Sequence, residues 1–440
     1  MDAMVLLLLL LAVPAASAQL PRLSVGEDHP ITGGGNNYTE VHLVIHPADP
    51  RHMVVAAMKE TTPPPDLSAT AGRHITELLL SRDGGLRWDA GTPDSDLWQQ
   101  VQLASDPWLA FGLEDALYYA VLPRIVDQEG RGRRGIHVYR SVDGGRSWHQ
   151  STNVPLGDGG SYDKTSITVD TTAGPLAGTV YVLAAQAWTA SNGDGRDGPV
   201  VARSDDEGRS FTVPLRFGPN NLRHGISHPP VVLSDGRLVI AFYDFFVPAT
   251  KTFLQHPRLW VLTSSDGGET VSGPYLVAES VEAIPPFLTS DRSSVNRDRL
   301  FLAWTGQKED RNIYVSRSDD RGQTWSVHVR VNSSIDTHDR RYKPMLVMNS
   351  QGFLGAAWRD SRDDPADKCT HIYFSASLDG GLTFLPDVRV SAEPTCADSW
   401  WGADGEYFGL DTTASEFRLV WADNRSGSYE LVLNTVTIEN

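Results

Sequence analysis

Ser141-Val142-Asp143-Gly144-Gly145-Arg146-Ser147-Trp148 is one copy of a pattern, Ser-x-Asp-x-Gly-x-x-Trp/Phe, that the chain writes again and again. Other copies run from Ser81 to Trp88, Ser204 to Phe211, Ser318 to Trp325 and Ser377 to Phe384. A worn copy keeps Ser264, Asp266 and Gly268 but has Val271 where the aromatic residue belongs. The starts follow one another at a period of about 60 residues, which marks a repeat architecture.

Each copy has a physical reading as a turn. A β-branched and aromatic run precedes it, as in Ile136-His137-Val138-Tyr139, and a second strand-like run follows. Asp accepts bonds from backbone N–H groups just beyond it, and Gly supplies the positive φ that closes a tight hairpin. The terminal Trp or Phe is large enough to wedge between neighbouring sheets. Asp83, Asp143, Asp206, Asp266, Asp320 and Asp379 are therefore expected to be structural, because six similar turns cannot share one active site.

These repeats resemble the Asp-box (BNR) repeats of sialidases and their secreted β-propeller relatives, over essentially the whole mature chain. The resemblance implies a single β-propeller of four-stranded blades, each Asp box forming the hairpin between a third and a fourth strand. One propeller scaffold hosts many unrelated functions, so the repeats speak to fold more than to chemistry.

The residues themselves read as all-β: short alternating runs bounded by Gly, Pro, Asn and Asp recur, with no long helical periodicity. Blade one is read at Val41 to Ile45, Met53 to Ala57 and Ile75 to Leu80. Later blades begin near Trp108, Thr165, Pro230, Pro286 and Pro344. A further unit at Glu406 to Asp411, Phe417 to Trp421 and Glu430 to Val436 has no Asp box and only three strands. Arg22-Leu23-Ser24-Val25 is the candidate for its fourth, which would close the ring by joining the two chain ends. That makes seven blades, against the six that the sialidase resemblance implies as the alternative. Thr61 to Pro65 and Ser191 to Gly198 read as long loops between second and third strands.

Of the 440 residues, the first 18 read as a secretory signal peptide: an apolar core through Leu11-Ala12-Val13, then Ala16-Ser17-Ala18 as a cleavage site. Residues 19–440 are then one domain. The apolar stretch is short of the ~20 residues that a membrane span needs, so a soluble protein, secreted or periplasmic and monomeric, is expected. A formal charge of −17 argues against nucleic acid and anionic membranes as partners. Arg outnumbers Lys heavily, and local Arg clusters would hold an anionic ligand against the acidic background. Cys369 and Cys396 form a disulfide on the default reading for an exported chain. Asn37, Asn332 and Asn424 head Asn-x-Ser/Thr sequons.

In a propeller the first strands line a central channel, and their starts lie on the face opposite the Asp boxes. The residues there are polar: Glu40, Asp106, Asp163-Lys164, His228, Tyr342-Lys343 and Glu406-Tyr407. Such a ring is either a solvated channel mouth or a reaction chamber. On the loops after the second strands, Trp358-Arg359-Asp360-Ser361-Arg362 and Trp421-Ala422-Asp423-Asn424-Arg425 share Trp-x-Asp-x-Arg. Either the Asp–Arg pair pins a loop, or Arg362 and Arg425, with Arg341 and Arg223, fork onto a ligand carboxylate as Arg does bidentately.

The sialidase resemblance implies three Arg on the sugar carboxylate, a Tyr nucleophile assisted by Glu, and an Asp acid/base. Glu406 and Tyr407 then match the nucleophile couple, and Asp163 or Glu40 the acid. The chain departs from the family in lacking an Arg-Ile/Leu-Pro motif before the first Asp box; Pro21-Arg22-Leu23 has another order and place. Arg223, His224, His228, Tyr243 and Tyr342 alternatively suit a lyase on uronate polymers, where a cation neutralises the carboxylate and His or Tyr takes the C5 proton. From a different class, the second reading is a non-catalytic glycan-binding propeller, a lectin or adhesin, and the third a structural or partner-binding propeller with no sugar ligand. Trp400 and Trp401, beside Asp398 and Asp404, suit sugar stacking and inter-blade packing alike, and Lys164 joins the substrate-binding candidates. Asn192 to Gly198 resembles a calcium loop, though Arg196 stands at a ligand position. No Cys/His zinc spacing and no organic cofactor signature is present.

Overall fold

Strands form wherever β-branched and aromatic runs lie between turn residues. The computed structural model describes residues 21–61, 73–93, 101, 103–126, 132–155, 161–189, 195–217, 222–247, 249–307, 309–335, 339–396 and 407–439, and among them there is no helix. The signal-peptide reading, Trp400, Trp401, Glu406 and the start of the calcium-like loop lie outside these residues.

The strands pair as antiparallel meanders in chain order. Asn37–His46, Asp49–Thr61, Arg73–Ser81 and Asp89–Ala90 make the first. Leu103–Phe111, Leu117–Val126, Ile136–Ser141 and Thr152–Val154 follow. Next come Ser161–Val169, Val180–Thr189, Gly195–Ser204 and Thr212–Arg216. Val231–Val232, Leu238–Val247, Thr252–Ser264 and Ser272–Glu279 form another, with Arg223–Ile226 extending its inner edge. Phe287–Ser290, Leu300–Thr305, Ile313–Ser318 and Val329–Arg330 pair likewise. So do Arg341–Met348, Leu354–Asp360, Cys369–Ser377 and Val388–Arg389.

The last meander, Gly409–Thr412, Glu416–Asp423 and Glu430–Glu439, takes its outer strand from the other end of the chain. Arg22 pairs with Glu439 and Val25 with Val436, as the sequence anticipates. A cavity of about 270 Å³ is lined by His42, Trp108, Ile167, Pro229, Phe287, Leu346 and Leu410, so the first strands all face one central space. The arrangement is propeller-like.

Stacking of meander on meander explains why middle strands read as continuous apolar runs. Leu300–Thr305 and Leu354–Asp360 are buried along their whole length, because both sheet faces are covered. Gly355 marks how close the layers come: a Cβ there would lie 2.6 Å from the Phe417 ring. The loop reading of Ser191–Gly198 extends too far. The third strand already begins at Gly195, paired with Thr189, because a hairpin ladder needs only backbone groups and runs through Gly.

Every Asp box shares two bonds, from the Ser hydroxyl to the Asp carboxylate and from the Gly N–H to the Ser hydroxyl. In the copy at Ser141, the hydroxyl donates to Asp143 Oδ1 at 2.8 Å and accepts the Gly145 N–H at 2.8 Å. Asp143 Oδ1 also accepts the N–H groups of Arg146 and Ser147, and Oδ2 accepts the Ser147 hydroxyl. Gly144 and Gly145 carry the positive φ values, 66° and 92°. The hydroxyl and N–H of Thr270 hold Asp266 at a pKa of about 2.

The turns also tie neighbours together. Trp148 Nε1 donates to Gly91 O at 2.7 Å, in the preceding meander. Arg82 donates to the carbonyls of Asp143 and Gly144, Arg203 to Asp266 O, and Arg418 to Gly84 O. Much of the arginine is thus used between repeats. Cys369 and Cys396 are joined by a disulfide between two paired strands. The sequon amides of Asn37, Asn332 and Asn424 all donate internally, to Glu60, Asn312 and the Cys396 carbonyl.

Candidate functional site at the channel mouth

The first strands share a distortion. The ladder slips between Thr39 and His42, Ser105 and Trp108, Asp163 and Ser166, and Tyr342 and Met345. Within these bulges Glu40, Asp106, Lys164 and Lys343 adopt left-handed backbone, with φ of 51°, 50°, 54° and 58°. For a residue with a Cβ this conformation costs roughly 1–2 kcal/mol. Strain of this kind at a bulge re-aims side chains and gathers at functional sites.

The bulges bring opposite charges together. Glu40 Oε2 accepts the Asp106 N–H at 2.8 Å, so one bulge braces the next. Ser105 donates its hydroxyl to Asp106 Oδ2 at 2.9 Å. Arg134 Nη1 donates to Asp163 Oδ1 at 2.7 Å. Lys343 Nζ stands 5.0 Å from the Tyr342 ring centre, with the Arg340 guanidinium 4.7 Å from it. Glu40, Asp163, Lys164 and Lys343 are half-buried, while Asp106 and Tyr342 are buried.

Below the bulges an aromatic plug crosses the channel. Trp108 has His42 at 3.9 Å and His228 at 4.9 Å between ring centres, with Tyr407 at 5.1 Å edge-on. The Tyr407 hydroxyl donates to Pro107 O at 3.2 Å. His42 Nδ1 accepts the Leu109 N–H at 3.2 Å. Burial holds both histidines neutral, each with a pKa of about 3; His228 adds to the effect on His42, and Lys164 to that on His228. Both ring nitrogens of buried His228 lack a hydrogen-bond partner among the described residues, as do the hydroxyls of Thr165, Ser166 and Ser227. Buried polar atoms are rarely left so.

The arginine candidates are placed otherwise. Arg341 is fully buried, with Nη2 on Asp339 at 2.5 Å and Nε 3.2 Å from Asp360. Arg362 bonds Asp360 and lies 2.9 Å from Asp387. Burial pulls its guanidinium down, and the two carboxylates more than offset this, holding its pKa above the ordinary range. Arg425 forks onto Asp423 and also reaches Asp28, near the other end of the chain. In Trp-x-Asp-x-Arg the Asp thus collects its own neighbours: Asp360 takes the Trp358 indole N–H at 2.9 Å and the Arg362 N–H at 3.0 Å. The loop-pinning alternative describes these bonds.

Arg223 is exposed, 5.4 Å over the Phe246 ring. His224 is buried edge-on to Phe242, and Tyr243 is buried across Gly225, where a Cβ would meet its ring at 2.1 Å. His42 and Trp108 are plug residues that sequence reasoning passed over. The sequence signal for them was that each stands two places after a carboxylate residue already placed at a first-strand start, in Glu40-Val41-His42 and Asp106-Pro107-Trp108. Among the described residues no group of three or more His, Cys, Asp or Glu side chains is placed to hold a metal ion, and no helix is long and apolar enough to cross a membrane.

Comparison with known proteins agrees with this architecture. Residues 167–334 match the family described as BNR repeat-like domain. The structure of the Hadza microbial sialidase Hz136 superposes with a TM-score of 0.50 at 16% identity, covering 94% of this chain and 96% of that one. A protein of unknown function from Dyadobacter fermentans DSM 18053 superposes with a TM-score of 0.54 at 12% identity, covering 95% of this chain and 99% of that one. No curated protein matches the chain in sequence. The repeats within residues 167–334 are BNR-like and the fold is the sialidase-like one; at these identities the likeness speaks to fold alone.

Proposed function

We propose that this chain is a seven-bladed propeller acting outside the cytoplasm, secreted or periplasmic and monomeric, as a glycoside hydrolase on an acidic, sialic-acid-type glycan bound over the channel mouth. The observation that carries the reading is the recurrence of left-handed Glu40, Asp106, Lys164 and Lys343 at the bulges of four first strands. Strained, charged residues of both signs at one mouth suit recognition and acid–base work better than simple solvation. The lysine ammoniums attract the sugar carboxylate. Glu40 and Asp163 are the candidates to hand a proton to the leaving oxygen.

Tyr407 is the candidate nucleophile, with Glu406 to assist it. Its hydroxyl is engaged with Pro107 O, so attack requires it to leave that carbonyl. Turnover of a fluorogenic sialoside tests the reading: wild-type protein hydrolyses it, Tyr407→Phe and Glu40→Gln do not, and all three melt alike. Equal turnover by Tyr407→Phe removes that residue from the mechanism.

A second chemistry is favoured by one feature. His228 is neutral, has unpartnered ring nitrogens and feels the charge of Lys164. That suits a base taking the C5 proton of a uronate whose carboxylate a lysine neutralises. The occupied arginines Arg341, Arg362 and Arg425 favour it too, since they offer no three-arginine clamp. Unsaturated product from a uronate polymer, absent in His228→Gln, would establish the lyase; glycan binding without turnover would make the protein a lectin.

A further inference from the structure

Beside the channel mouth lies a second concave site, on the same face. A cavity of about 230 Å³ opens between the strands Leu300–Thr305 and Arg341–Met348, lined by Glu282, Thr305, Gly306, Arg311, Arg340 and Tyr342. Tyr342 is its wall towards the mouth, next to left-handed Lys343.

Its polar groups are under-used. Thr305 is 3% exposed, and its Oγ1 has no hydrogen-bond partner among the described residues. Arg340 Nε is buried and makes no hydrogen bond among the described residues, its nearest carboxylate oxygen being Asp367 Oδ1 at 3.4 Å. Arg311 and Arg340 share one carboxylate, Asp367, at 4.0 and 3.4 Å, too loosely for a bidentate pair. Arg311 and Asp367 both hold left-handed backbone, with φ of 49° and 51°. Gly306 keeps the floor open, because a Cβ would come within 2.8 Å of Asp310 Oδ2. Two guanidiniums and a buried idle hydroxyl make a site for a small polyol that carries a negative charge.

We propose that this cavity is a second sugar subsite, taking a carboxylate-bearing sugar unit adjacent to the one at the channel mouth. The carboxylate accepts N–H bonds from Arg311 and Arg340, and the Thr305 hydroxyl meets a ring hydroxyl. The substrate is then an acidic oligosaccharide or polysaccharide, and affinity grows with its length because the second unit binds intramolecularly. The inference rests on the acidic-sugar reading of the mouth.

Calorimetric titration tests it with disialic acid, trigalacturonate, the two monosaccharides and the methyl ester of each oligosaccharide. For one of the two acid series, wild-type protein is expected to bind the oligosaccharide at least tenfold more tightly than the monosaccharide, and the ester weakly. Arg311→Gln and the isosteric Thr305→Val should each abolish that length gain while leaving monosaccharide affinity and melting temperature unchanged. A length gain retained in both variants, or an ester that binds as well as the acid, overturns the subsite. If Lys164→Met leaves monosaccharide binding intact while Arg311→Gln still removes the length gain, the mouth reading falls and the cavity remains an acidic-sugar site. If neither acid series binds wild-type protein, both fall.

Discussion

The Trp108 indole packs against two imidazoles, His228 stacked at an interplanar angle of 21° and His42 tilted at 30°. Neither imidazole carries charge in the folded protein, because burial disfavours the cation. Between the ordinary histidine pKa of 6.5 and the folded value of about 3, the unfolded chain therefore binds protons that the folded chain refuses. Stability is fully present above pH 6.5 and is lost as the pH falls through that window, by on the order of 5 kcal/mol for each histidine. Urea unfolding between pH 4 and pH 7 should show a shallower slope for His228→Phe than for wild type; identical slopes would mean that His228 is charged in the fold.

Asp411 titrates with the opposite sign. Its half-buried carboxyl lines the central cavity, and desolvation pushes its pKa up to about 7 despite the N–H bonds from Ile45 and Thr412. The folded chain holds this proton above the ordinary value of 3.8. Stability from it is present below pH 3.8 and lost as the pH rises through about 7. Melting curves from pH 5 to pH 9 should decline less for Asp411→Asn than for wild type, and parallel curves would place the pKa elsewhere.

Ser141 tests the Asp box as a structural device. Ser141→Ala leaves the buried Gly145 N–H without its acceptor and Asp143 without one donor. A loss of about 1–3 kcal/mol is expected, with catalysis or glycan binding unchanged at the melting-corrected protein concentration. A fall in activity without a fall in stability would give the box a chemical part.

Asp360 is fully buried, with Arg341, Arg362 and the Trp358 indole around it. Asp360→Ala removes the carboxylate that two interior guanidiniums share, leaving Arg341 with Asp339 and Arg362 with Asp387, and should cost roughly 1–3 kcal/mol. If chemical denaturation finds the variant as stable as wild type, these arginines are available to a ligand after all.

The disulfide closes a loop with a sequence separation of 27 between Cys369 and Cys396. Replacing both by Ser should lower stability by roughly 3 kcal/mol, read from the denaturant midpoint under oxidising conditions. No change would show that the paired strands hold this rim unaided.

The outline of the fold was legible because its signals are local. Ser, Asp and Gly at fixed offsets dictate a hairpin wherever they occur, and alternation of apolar residues dictates strands, so the starts near Trp108, Thr165 and Pro344 fall within the strands observed. The pairing of Arg22–Val25 with the last strand followed from counting strands in a unit that lacked one. The site was legible only as a list of polar residues at strand starts. The pairs of Arg362 with Asp360 and of Arg425 with Asp423 are local to Trp-x-Asp-x-Arg, but that Asp387 and Asp28 complete them depends on residues 25 and 397 positions away, which no spacing rule reaches.

The sequence by itself therefore determined the repeat, the turn chemistry of each Asp box and the face on which the first strands begin, since all three are set by neighbours along the chain. Only the tertiary structure decided which charges remain for a ligand. It set the left-handed bulges at Glu40, Asp106, Lys164 and Lys343, the plug of His42, Trp108, His228 and Tyr407, and the cavity beside Tyr342. Burial and charge pairing are properties of space, and residues distant in the chain become neighbours only when the sheets pack around the channel.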